Sequence, residues 1–62
     1  MQTLYLITAY RHAQNEWWRF VVSAESEAQA LGKFQDGYSD MRFTRVSATP
    51  VCTTSDDVFK EL

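Results

Sequence analysis

The sequence predicts an α+β fold: a two-layer ββαβ unit with one helix on one face of a three-stranded antiparallel sheet. Three observations predict it. Trp17 to Ala24 alternates as a half-buried strand does. Ser26 to Gly37 carries a helix cap followed by an apolar stripe at helical spacing. The connections between the apolar segments are short, so consecutive elements pack as neighbours. A chain of 62 residues makes one domain, and its 45% hydrophobic and 15% aromatic content is enough for one small core.

Thr3 to Arg11 is rich in β-branched and aromatic residues and reads as the first strand. Leu4, Leu6, Thr8 and Tyr10 lie on one face; Tyr5, Ile7, Ala9 and Arg11 lie on the other. Both faces are partly apolar, which suits a central strand. His12 to Glu16 is a polar break without a two-residue turn signature, so a loop of about four or five residues is expected. In the second strand Trp18, Phe20, Val22 and Ala24 form the core face, because the opposite face holds Arg19 and Ser23 beside Trp17 and Val21.

Ser26 is the expected helix N-cap, with Gln29 three residues on completing a capping box and Glu27 favourable to the dipole in the first turn. Ala30, Leu31, Phe34 and Tyr38 share the buried stripe. Gly32 costs the helix about 1 kcal/mol relative to alanine and would let it approach the sheet closely. Gly37 is the expected left-handed terminator. Met41 to Ala48 reads as the third strand, with Met41, Phe43 and Arg45 on one face, Arg42, Thr44 and Val46 on the other, and Pro50 ending it. Placing it beside the first strand gives sheet order 2-1-3. The domain is expected to span residues 1–52. Residues 53–62 then form a frayed tail or a short C-terminal helix capped by Thr54 or Ser55. A single helix leaves the other sheet face bare.

Composition narrows the function. A net charge of −2 argues against generic nucleic-acid binding, which needs a basic field. The single cysteine, Cys52, excludes an internal disulfide and fits a cytoplasmic protein. No basic leader precedes the first apolar run, and no stretch approaches the ~20 apolar residues that span a bilayer. His12 has no second ligand nearby, Cys52 has no neighbouring histidine, and Asp56 and Asp57 read as capping groups. There is no glycine-rich phosphate loop. No enzymatic activity, metal or cofactor is therefore expected. The bare sheet face carries Trp17 and Arg19, residue types enriched in binding hot spots, and Arg42 and Arg45 lie on the returning strand. Trp17, Arg19, Arg42 and Arg45 are the candidate partner-binding residues. The bland alternative is that Trp17 caps a core edge and the arginines are solvated strand charges that discourage edge pairing.

The run Ala24-Glu25-Ser26-Glu27-Ala28-Gln29-Ala30-Leu31 and the later Phe43-Thr44-Arg45-Val46 resemble the small phage-encoded inhibitors of host bacterial RNA polymerase. That family shares the order strand, strand, helix, strand, a similar Ala-Glu before a hydroxyl cap, a third strand ending in Thr-Arg-Val, and a late cysteine. The resemblance covers roughly residues 17 to 52. It implies a non-enzymatic protein that docks on the jaw of the polymerase's largest subunit in the host cytoplasm and blocks open-complex formation. It also implies an arginine pair on the third strand as the contact. Arg45 matches the first of that pair; the second falls on Ser47, where this sequence departs. The alternative reading is an interaction domain with a different protein target, or a homodimer using the open face or an edge strand. Single-stranded nucleic acid stacking on Trp17 and the tyrosines is a third, opposed by the acidic balance.

Overall fold

A computed structural model describes all 62 residues. Strands β1 (Gln2–Arg11) and β2 (Glu16–Ala24) form an antiparallel hairpin. Helix α1 (Glu27–Gly37) crosses one face, and β3 (Thr44–Thr54) returns beside β1. A fourth strand, β4 (Phe59–Glu61), pairs with the far edge of β2. The sheet order is β3-β1-β2-β4, with every neighbouring pair antiparallel. The α+β class and the single helix agree with the sequence reading. The three-stranded sheet does not: order 2-1-3 survives only as part of a four-stranded sheet.

The hairpin closes through residues 12–15, with Gln14 N–H donating to Arg11 C=O and Asn15 N–H to His12 C=O. Asn15 takes a positive φ of 56°, which asparagine tolerates better than most residues. The register pairs Tyr10 with Trp17, Thr8 with Arg19, Leu6 with Val21 and Leu4 with Ser23. Side chains therefore segregate. Tyr5, Ile7, Ala9, Phe20, Val22 and Ala24 are buried on one face.

Helix α1 covers that face. Ser26 is extended (φ −151°, ψ 164°), and its Oγ accepts from Gln29 N–H at 3.1 Å. The Gln29 side chain reaches back, but to Glu25 N–H at 2.7 Å rather than to the cap residue itself. Ala30 and Phe34 are the helix residues fully inside. Lys33 ties the helix to the sheet end, donating from Nζ to Ser23 C=O at 2.7 Å. Phe20 sits at the centre of an aromatic cluster, its ring centroid 4.8 Å from both Phe34 and Tyr38 and 6.1 Å from Phe43. Trp18 closes the cluster 5.7 Å from Phe43.

Both glycine expectations change. Gly32 meets nothing: an added Cβ would have no heavy atom within 4 Å, so close helix–sheet approach is not its reason. Gly37 ends the helix without a positive φ, and the C-cap Tyr38 (φ −128°) donates its N–H to Phe34 C=O. Its missing side chain serves packing instead, because a Cβ there would lie 2.8 Å from Cζ of Phe59.

The third strand starts later and runs further than expected. Met41 to Phe43 form an irregular lead-in, and β3 continues through Pro50 to Thr54. Pro50 does not end it, because β3 is an edge strand paired only with β1, where a missing N–H is tolerated. Leu4 pairs with Cys52 and Tyr5 with Pro50, so Val51 bulges out between them. A second bulge lies between the Thr8–Ser47 and Tyr10–Thr44 pairs. There Arg45 adopts φ 55°.

The C-terminal helix is replaced by β4. Thr54 does cap, but a turn: its Oγ1 accepts from Asp56 N–H at 3.1 Å. The chain then crosses to β2, whose outer N–H and C=O groups would otherwise face water. Ser23 N–H donates to Val58 C=O at 2.9 Å, Val58 N–H to Ser23 Oγ at 2.8 Å, and Leu62 N–H to Arg19 C=O at 2.9 Å. A two-turn helix is marginal alone, and these bonds supply what it lacks. Ser23, expected on the bare face, is 1% exposed because this segment covers it.

Gly32→Ala is expected to raise the melting temperature by about 4–8 °C, since it gains about 1 kcal/mol of helix propensity with no clash; thermal denaturation by circular dichroism checks it. Ser23→Ala leaves Val58 N–H without its acceptor. It should lower stability by about 1 kcal/mol and speed amide exchange at Leu62 while the Tyr38 amide stays protected.

Candidate functional site

The sheet face opposite α1 is crossed by four rows of side chains, set by the strand registers. Trp17 and Tyr10 head it, their ring centroids 5.3 Å apart. Arg19, Thr8 and Ser47 form the second row, with the Thr8 and Ser47 hydroxyls hydrogen-bonded at 2.8 Å. Lys60, Val21, Leu6 and Thr49 make the third, and Ser23, Leu4 and Cys52 the fourth. The face grades from aromatic and cationic at the hairpin end to aliphatic and hydroxyl-bearing at the other. The C-terminal segment extends the sheet at its edge, where Val58 bonds Ser23 and Asp57 accepts from Gln2 Nε2 at 2.8 Å.

The first row is the chemically dense one. Trp17 is 56% exposed. The Tyr10 hydroxyl donates to Asn15 Oδ1, which fixes the ring, and His12 stands edge-on to it at 6.1 Å. The Arg45 guanidinium lies 5.9 Å from the Tyr10 ring centroid. A cation over an aromatic ring near the surface contributes about 0.5–1 kcal/mol. The backbone at Arg45 explains how it gets there. Strict alternation would have kept Arg45 beside Phe43, but Phe43 packs into the core cluster and so do Val46 and Ala48. The bulge with its positive φ breaks the alternation and sends Arg45 to the opposite face, a correction to the expected grouping of Met41, Phe43 and Arg45.

The structure therefore gathers three of the four expected residues. Trp17 and Arg19 project from the bare face and Arg45 reaches Tyr10 on it. Arg42 does not join them. It lies ahead of β3 and lines a separate cleft with Arg11, His12, Ala13, Asp40, Met41 and Thr44. Arg11, not singled out from the sequence, is held with its guanidinium 5.5 Å from the Trp18 ring centroid. Its signal was its place directly after Tyr10, at the strand end facing the loop. The hairpin register sets Tyr10 beside Trp17 on this face, and that pairing is the feature that matters.

None of the side-chain hydrogen bonds within the chain comes from an arginine. Arg19, Arg42 and Arg45 are exposed, and Arg11 is half-buried. Five-donor guanidiniums left free in this way can grip carboxylates in forked pairs. Cys52 is free and exposed. No cluster of three or more His, Cys, Asp or Glu side chains forms a metal-binding group, and no helix is long and apolar enough to cross a membrane. Comparison with protein-family models, curated proteins and solved structures gives no match.

A non-glycine residue at Arg45's φ stores about 1–2 kcal/mol of strain. Arg45→Gly is thus expected to leave stability unchanged or raise it by up to about 1 kcal/mol, the relieved strain being partly offset by glycine's greater unfolded-state entropy. Urea denaturation reads this directly, and a loss above about 1 kcal/mol would show that the guanidinium's contact with Tyr10 outweighs the strain.

Proposed function

We propose that this chain is a non-catalytic binding protein of the bacterial cytoplasm whose uncovered sheet face docks an acidic patch of a protein partner. One observation carries the reading: an exposed Trp17, packed on Tyr10, shares that face with Arg19 and Arg45, whose guanidiniums make no hydrogen bond inside the chain. A ring fixed by its neighbour loses little freedom on binding, and an unsatisfied guanidinium pays no internal bond to reach a partner's carboxylate.

The target first in line is the largest subunit of bacterial RNA polymerase, because the helix-cap run and the Thr44-Arg45-Val46 segment resemble the phage-encoded inhibitors. The polymerase reading needs a second cation near Arg45. Ser47 stands where that family has it and is engaged with Thr8. Arg19 lies in the same cross-sheet row as Ser47, two strands over, roughly 10 Å away at the backbone by the usual strand spacing. Arg45 and Arg19 would then form the cationic pair, with Trp17 on the same face. A partner matched to this geometry presents carboxylates spaced more widely than two adjacent residues of one strand.

Purified chain mixed with bacterial RNA polymerase is expected to bind and to reduce promoter-dependent transcription in vitro. Trp17→Ala should weaken binding by about 2 kcal/mol, as central aromatic anchors do. Arg19→Gln and Arg45→Gln should each slow association and flatten its dependence on salt. Absence of binding at micromolar protein removes the polymerase as target. If affinity purification from a bacterial lysate then recovers another protein through the wild type and not through the Trp17 variant, the face is retained with a different partner; equal recovery by both ends the proposal.

A further inference from the structure

We propose that the cleft between the β1–β2 loop and the segment leading into β3 binds a small phosphomonoester that carries an amino or hydroxyl donor. This site is separate from the sheet face and stands whether or not a protein docks there.

The cleft has a volume of about 570 Å³, within the usual range of small-ligand sites. Its lining is rich in cationic and polar side chains, with one carboxylate, Asp40. Arg11 and His12 come from the end of β1 and the loop, Arg42 and Thr44 from the opposite segment. The pairing of Tyr10 with Thr44 fixes the two walls relative to each other, and Thr44 Oγ1 donates to Tyr10 C=O at 3.5 Å. Arg11 is half-buried and laid over Trp18, so its orientation is set before any ligand arrives. Neither guanidinium donates a hydrogen bond within the chain.

Two arginines and an imidazole line one opening in a protein whose net charge is −2. A lone carboxylate would be over-matched by two forked donors. A phosphomonoester carries a charge of about −1.5 to −2 and three acceptor oxygens, which suits them. Asp40 also lines the cleft. It repels the phosphate and needs a donor, so the ligand must offer one away from its phosphate. Met41 and Ala13 supply the only apolar lining, enough to pack a short carbon chain and no more.

The test uses the intact chain and two probes, inorganic phosphate and phosphoethanolamine, with chloride at matched ionic strength as the control. Chemical-shift titration should saturate for phosphoethanolamine with Kd below about 1 mM. The shifts should be confined to Ala13, Met41, Thr44 and the side chains of Arg11 and Arg42. Inorganic phosphate should bind the same residues more weakly. Arg42→Gln, an exposed change that spares the fold, should weaken binding about tenfold, and Arg11→Gln likewise. Asp40→Asn should abolish the preference for phosphoethanolamine while leaving phosphate bound. Linear shifts, equal shifts from chloride, equal affinity for the two probes, or an effect of Arg19→Gln as large as that of Arg42→Gln would overturn the proposal.

Discussion

The packing of Phe20 against Phe34 and Tyr38 is the contact on which this molecule depends. The chain has one eleven-residue helix, and Ala30 and Phe34 are its fully buried positions. Aliphatic residues such as Ile7 and Val22 fill part of the space between that helix and the sheet. Aromatic rings fill the rest, because each covers more area than a leucine, and Trp18, Phe43 and Tyr38 extend the layer beyond the helix ends. The cost is exclusivity. The one helix lies on one face, and the other is left without a helix, with only the C-terminal segment at its β2 edge. The bare face is thus a consequence of how the core is built and not an independent feature.

The sheet edges tell against the other route to association. An eleven-residue edge strand is a template for pairing with another chain. In β3 that template is interrupted by bulges around Arg45 and Val51 and by Pro50, which has no N–H to give. The opposite edge is β4, three residues long with Lys60 at its centre. Before β4 forms, β2 is an edge with Val21, Phe20 and Val22 in sequence, a hazard that the C-terminal residues remove by pairing with it. Both edges are thus blunted against strand pairing with another chain.

Much of this was readable from residues alone, and the parts that were not share a cause. The β2 alternation, the Ser26 cap and the Ala30–Phe34 stripe are repeated signals: several residues vote for the same period. The bulge at Arg45 rests on one residue whose type gives no warning, since glycine or asparagine would be the usual occupant of that φ. One inserted residue reverses parity, so Arg45 parted from Phe43 and the strand's inward face was carried by Val46 and Ala48. Strand β4 was hidden for a different reason. Three residues cannot display a period, and Phe59 and Val58 stand in a polar tail whose pairing partner is more than thirty residues away. The site was half legible: Trp17 and Arg19 follow from alternation, whereas Tyr10 and Arg11 acquire meaning only from the hairpin register.

Net charge proves too coarse a guide to what this protein can bind. The molecule is 36 Å long, several times the ~8 Å screening length at physiological salt, so its two ends act as separate electrostatic objects. Chain direction sorts the charges between them. Arg11, Arg42 and Arg45 lie at the hairpin end with Arg19 one row in, accompanied by Glu16, Asp36 and Asp40; Glu25, Glu27, Asp56 and Asp57 lie at the far end. Glu61 pairs with Phe20 next to Arg19, and Lys33 sits at the far end, so the arginine end is close to neutral while most of the chain's −2 lies at the other. Glu16, Asp36 and Asp40 share the arginine end, so what would favour an anion there is the placement of individual free guanidiniums rather than a field of one sign.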